Sequence, residues 1–83
     1  MELVIEAAAL KVLLRMPKGD AEGLRAKLKA FAAAPYDPHP WSKAFGSGRG
    51  RIRHGDWCAV YEIDGDALVV TVLKVGSRKE VYR

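Results

Sequence analysis

The sequence holds a single cysteine, Cys58. A lone thiol forms no internal disulfide, which points to a reducing compartment. No apolar run approaches the roughly 20 residues of a membrane span. The start MELVIEAAALK also lacks the charged-then-apolar layout of a secretion signal. A soluble, cytoplasmic protein with no membrane attachment is therefore expected. Histidine is scarce as well: two histidines and the one cysteine show no metal-ligand spacing. There is no glycine-rich phosphate loop, no paired-carboxylate arrangement and no Ser/His/Asp set, so neither a metal nor another cofactor is expected.

Acidic residues are missing from one stretch. None lies between Pro38 and Gly55, whereas Lys43, Arg49, Arg51 and Arg53 all fall there. Residues 1–41 nearly balance, with six basic and five acidic side chains; residues 42–83 carry eight and five. The net charge of +4 is modest, but its distribution implies an anionic partner, either nucleic acid or an acidic protein.

What is present is a globular composition, 49% hydrophobic in 83 residues, near the lower limit for a core without disulfides or metal. One domain over residues 1–83 is expected. Glu2 to Ile5 reads as a short strand with Leu3 and Ile5 on one face. A helix follows from about Glu6 to Met16, with Leu10, Leu13 and Leu14 as its buried stripe. Pro17 ends it, and Asp20 is the candidate N-cap of a second helix reaching about Ala34. Leu24, Leu28, Phe31 and Ala32 recur there at helical spacing.

Pro35, Pro38, Pro40 and the run Gly46-Ser47-Gly48 predict a loop. Three strands then follow: Arg49 to Arg53, Trp57 to Ile63 and Leu68 to Val75, joined by tight turns at Gly55-Asp56 and Asp64-Gly65-Asp66. Gly76 is expected to end the last strand, with the tail along the sheet edge. The fold class is α+β: an N-terminal strand, a two-helix hairpin, and a three-stranded antiparallel meander forming a small curled sheet.

Alternating residues on a strand project to one side about 7 Å apart. Arg49, Arg51 and Arg53 therefore form one cationic line, and a small sheet could bring Arg78, Tyr82 and Arg83 beside it. Cations around a phenol suit the handling of a phosphodiester. The same arginines would also suit the solvated face of an edge strand. Trp57 and Tyr61 read as core or half-buried, Cys58 as a small buried hydrophobe, and His54 as a turn residue.

The ordered set Arg51-Ile52-Arg53, Gly55-Asp56-Trp57, Val60-Tyr61-Glu62-Ile63, Val75-Gly76, Arg78 and Val81-Tyr82-Arg83 resembles the RelE/ParE family of toxins from type II toxin–antitoxin pairs. The layout of nearly the whole chain is similar to that family, with the RelE-like branch favoured. RelE-like members are endoribonucleases that cut mRNA in the ribosomal A site; ParE-like members inhibit DNA gyrase without cleaving RNA. Both imply a cognate antitoxin as partner.

On the RelE-like reading, the family's basic pair falls at Arg49 and Arg51, its late arginine at Arg78 and its terminal aromatic at Tyr82. A position that is commonly arginine in the family is Cys58 here. The implied chemistry is metal-independent attack of a 2′-hydroxyl on its own 3′-phosphate. Arginine is a poor base because its pKa stays above about 12. A phenol starts near about 10, and neighbouring cations favour the phenolate. Tyr82 is then the catalytic base, while Arg78 and Arg51 stabilise the phosphorane. Arg49, Arg53, Lys43 and Arg83 bind RNA.

Three functional classes remain open at this point. The first is a ribosome-dependent mRNA endoribonuclease that inhibits translation, with ribosome and mRNA as partners. The second is a non-enzymatic DNA gyrase inhibitor, which Cys58 favours. The third is a catalytically weak toxin in a self-repressing complex that meets operator DNA only through its antitoxin.

Overall fold

A computed structural model describes residues 1–81. The element order is β1 (Glu2–Ile5), α1 (Ala7–Arg15), α2 (Lys18–Ala33), β2 (Ser42–Gly46), β3 (Arg49–His54), β4 (Trp57–Asp64), β5 (Val69–Ser77) and a single turn of helix, α3 (Arg78–Val81). The expected α+β architecture is present, and its sheet is larger than the three-stranded meander. Five strands run in the order β1-β5-β4-β3-β2. β2 to β5 pair antiparallel in succession, and β1 joins the far edge parallel to β5.

The helix boundary at Pro17 follows from backbone sterics. A residue before proline is pushed out of the α region, and Met16 is extended (φ −64°, ψ 155°), which ends α1. Helix α2 then starts directly after Pro17, whose carbonyl accepts from Ala21 N–H at 3.0 Å. Asp20 is therefore not the N-cap. It lies inside the first turn, and its carboxylate accepts the indole N–H of Trp57 at 3.2 Å.

Both helices cover one face of the sheet. Ala9, Leu13 and Met16 of the first helical segment and Leu24, Leu28, Phe31 and Ala32 of α2 pack with Ile52, Ala59, Tyr61, Val70, Val72 and Val75 in one core. Leu3 and Ile5 lean on it from β1. The α2 stripe is the expected one. The α1 stripe is not: Leu10 is 38% and Leu14 70% exposed. The helix is rotated so that Ala9, Leu13 and Met16, at i, i+4 and i+7, face inward. Small Ala9 lets α1 lie close on β5.

Part of the expected loop is strand β2. Its five residues are mostly exposed and carry no apolar alternation, so nothing in SKAFG announces a strand. It forms because β3 offers a free edge for Ser42, Lys43 and Ala44 to pair with Ile52, Arg51 and Gly50. The turn that returns the chain places Ser47 and Gly48 at φ +55° and +76°. Two successive positive φ values match the twist of an antiparallel hairpin. Strand β3 is consequently interior, between β4 and β2, and is not a solvated edge.

Gly76 does not end the last strand. It lies within β5, and a Cβ there would meet Val81 Cγ2 at 3.1 Å. Its missing side chain leaves room for α3 to fold back onto the sheet.

Candidate nucleic-acid interface

Residues directly opposite in a ladder share a face of the sheet. Along β3, Gly50 and Ile52 are buried under the helices, so Arg49, Arg51 and Arg53 emerge on the opposite, helix-free face. The register extends this line sideways. Lys43 of β2 lies opposite Arg51, which lies opposite Val60 of β4, which lies opposite Lys74 of β5. One row across four strands thus carries three cations around a valine.

Lys74 reaches this row because of an irregularity between Val60 and Tyr61. Tyr61 pairs with Val72 and Val60 with Lys74, leaving Leu73 as the extra residue. Without that bulge, Lys74 would follow the parity of Val72 and point into the core. Sequence reading missed Lys74. The available signal was one charge in the otherwise apolar run VVTVLKV.

The flanking rows differ in character. Arg49 lies opposite Glu62, and its Nε donates to Glu62 Oε2 at 2.8 Å. Arg49 is thus ion-paired. Arg53 lies opposite Cys58, itself opposite Gly76. The thiol is fully buried although it belongs to the helix-free face, because α3 lies over this corner with Val81 against Gly76. The place where the family commonly has an arginine therefore offers neither a cation nor an accessible nucleophile.

Helix α3 begins at the same end of the sheet as Arg53. The Arg78 N–H donates to the Asp56 carbonyl at 2.7 Å, closing the chain against the β3–β4 turn. The Ser77 hydroxyl accepts from Glu80 N–H at 3.4 Å. Arg78 is exposed on this turn. The structure thus brings Lys43, Arg51, Arg53 and the Arg78 turn to one face, with Arg49 at its far end. Tyr82 and Arg83 lie outside the described residues.

Two other titratable rings are accounted for by packing. Tyr61 is buried beneath the helices as expected, and burial pushes its phenol above the usual value near 10.0. His54 sits at the end of β3 with its Nδ1 buried and without a hydrogen-bond partner. Its ring lies so close to α2 that a Cβ on Gly23 would fall 2.3 Å from Cε1. A separate cleft of about 520 Å³ is mostly uncharged: its walls include Phe31, Pro35, His39, Tyr61 and Ile63, with Arg49 among them.

The sequence profile of the ParE toxins of type II toxin–antitoxin systems (parDE) matches residues 3–82. The chain belongs to this toxin family. Solved structures agree with the fold of the toxin. The isolated RelE toxin of E. coli superposes with a TM-score of 0.79 at 27% identity, covering 98% of this chain and 89% of that one. The intact E. coli RelBE toxin–antitoxin complex gives 0.77 at 22% identity, covering 92% and 94%. An archaeal RelE–RelB complex from Pyrococcus horikoshii gives 0.76 at 18%, covering 93% of each chain. No curated protein sequence matches the toxin. No described helix is long and apolar enough to cross a membrane.

Proposed function

We propose that this toxin is a ribosome-dependent mRNA endoribonuclease, inhibiting translation in the cytoplasm and held in check by a cognate antitoxin. The observation that carries the reading is the row Lys43–Arg51–Val60–Lys74, with Arg53 beside it. These are cations in fixed register on a face that no helix of the core covers. A polyanion lying on this face meets guanidinium forks suited to bidentate phosphate contact.

The chemistry assigned to the site is attack of a 2′-oxygen on the adjacent phosphorus. The bond to the 5′-oxygen breaks and a 2′,3′-cyclic phosphate forms. Tyr82 takes the 2′-hydroxyl proton, and the leaving 5′-oxygen acquires a proton in turn. Arg51 and Arg78 stabilise the extra negative charge on the phosphorane. Preorganised donors of this kind are worth roughly 3 kcal/mol each. Arg53, Lys43 and Arg83 hold the strand, and Arg49 contributes to the extent that Glu62 leaves its charge available. The antitoxin complexes of the RelE relatives support an antitoxin partner here.

Cys58 favours a second reading. With a buried thiol where the nuclease pattern has an arginine, the same fold would act as a gyrase inhibitor, using the cationic face to bind protein. Induction of the toxin separates the two. Immediate arrest of translation with codon-phased cuts in primer extension is expected, and both are lost in Arg51→Ala and Tyr82→Phe. Arrest of replication first, with gyrase-linked DNA breaks, would establish the second reading.

A further inference from the structure

Strand β2 does not pair along the whole of β3. Its pairing begins with Ser42 opposite Ile52, and beyond that point the Arg53 N–H donates to the Trp41 carbonyl at 2.8 Å. Beside this contact lies a cleft of about 320 Å³ walled by Lys27, Pro40, Trp41, Arg51, Arg53 and Gly55. Its walls hold three cations, one indole and no acid.

The indole is fixed in place. His39 stacks on it with centroids 4.6 Å apart and planes 24° from parallel. That imidazole is itself anchored by a 2.8 Å hydrogen bond between Nε2 and the Ala34 carbonyl. Lys27 Nζ lies 6.0 Å from the Trp41 centroid and donates to the Arg53 carbonyl at 3.1 Å. A backbone oxygen, not a carboxylate, therefore sets the position of the ammonium. Among the described residues, Lys27, Arg51 and Arg53 form no salt bridge.

A rigid aromatic wall beside uncompensated cations is the combination that binds single-stranded nucleic acid: the ring stacks a base and the cations hold the backbone. A duplex hides its base faces, so only an unstacked base can use the indole. The volume is at the low end for small-ligand sites and gives room for one nucleotide. Arg51 and Arg53 belong both to this cleft and to the cationic face, so a strand lying along that face runs into it.

We infer that this cleft is a nucleotide subsite. Trp41 stacks one base of single-stranded RNA, and Lys27 and Arg53 hold the adjoining phosphate. The inference rests on the toxin acting on RNA and adds a contact outside the cleavage centre. The base comes either from the messenger or from a ribosomal RNA loop.

The chain has two tryptophans, Trp41 and Trp57, so in a Trp57→Phe background Trp41 is the sole indole emitter. Titrating that full chain with a 2′-O-methyl RNA hexamer, whose attacking hydroxyl is blocked, is expected to quench the emission saturably. Binding of the labelled hexamer should weaken about tenfold in Trp41→Leu and change little in Trp41→Phe, as base stacking requires. Lys27→Gln should weaken it as well, with the indole intact. No quenching, or equal quenching by a hexaglutamate peptide, would overturn the subsite.

These readouts need no cleavage. Quenching in a chain that cuts no mRNA supports the subsite and removes the nuclease reading. Cleavage with an unquenched Trp41 does the reverse. A shift in cut sites among codons in Trp41→Leu assigns the base to the messenger. A uniform fall in all cuts assigns it to ribosomal RNA, and either pattern supports the subsite.

Discussion

Arg49 and Glu62 face one another across β3 and β4, joined by a 2.8 Å ion pair whose side chains remain 60% and 43% exposed. Exposed pairs of this kind contribute about 0–1 kcal/mol to stability. The pair matters more for the charge it cancels than for the fold it holds. It divides the helix-free face into a compensated end at Arg49 and a row at Lys43, Arg51 and Lys74 that forms no salt bridge among the described residues.

Glu62→Gln should therefore release Arg49 to the cationic face. Its unfolding free energy should stay within about 1 kcal/mol of the parent, while the affinity for single-stranded RNA rises at low salt. The gain should shrink as salt is added, because the extra contact releases condensed counterions. Denaturant melts and binding titrations at several salt concentrations check both halves.

Lys74 entered the row through a bulge, so its removal tests the register directly. Lys74→Ala and Lys43→Ala should each flatten the dependence of log K on log salt by about 0.7, the value for one phosphate contact on a single strand. Both should weaken RNA of any sequence alike. Arg51→Ala should show the same change in slope and, on the proposed chemistry in which Arg51 is a donor to the phosphorane, lower cleavage by about 100-fold or more. An unchanged salt slope in Lys74→Ala would place that ammonium off the RNA path.

Gly50 lies between two arginines of the site with no room for a side chain. A Cβ there would fall 2.2 Å from the Tyr61 hydroxyl and 2.5 Å from the Lys43 carbonyl of β2. The second atom is backbone and cannot swing aside. Gly50→Ala should destabilise the protein by about 1–3 kcal/mol, as overpacking does. Tyr61→Phe should not rescue it, since the Lys43 carbonyl remains. Hydrogen exchange should show the Ser42–Gly46 amides losing protection first.

The buried Tyr61 phenol predicts an alkaline limit. Burial disfavours the phenolate in the folded chain and raises the pKa above the usual value near 10.0. Between the unfolded and folded pKa values, the unfolded chain binds fewer protons, so stability falls as pH rises. The contribution is fully present below the unfolded value and is lost through the folded one. In Tyr61→Phe the fall in unfolding free energy above about pH 10 should be shallower than in the parent, measured by denaturant melts across that range.

Much of the fold is legible in local pattern. Leu24, Leu28, Phe31 and Ala32 announce α2 because helical periodicity is a property of the segment itself. Gly55-Asp56 and Asp64-Gly65-Asp66 announce hairpins because turns need particular backbone angles. At the second turn Asp64 Oδ1 accepts from the N–H groups of Asp66 and Ala67, both at 3.1 Å. The alternation of Arg49, Arg51 and Arg53 was readable for the same reason: a strand of period two puts them on one side whatever it pairs with. The ordered residues of the last third also carried the family.

Other features belong to pairing between segments. The sequence by itself determined the buried stripe of α2, the course of β3 and β4, and that three arginines share a face. Only the tertiary structure decided that β2 exists, since SKAFG becomes a strand only against the open edge of β3. It also decided that Met16, not Leu14, turns inward once α1 rests on β5. A bulge between β4 and β5 placed Lys74 beside Val60, cross-strand register gave Arg49 its acid, and the fold of α3 buried Cys58. Local alternation fixes parity within one strand, whereas register, bulges and helix rotation are set by the neighbour against which each segment packs.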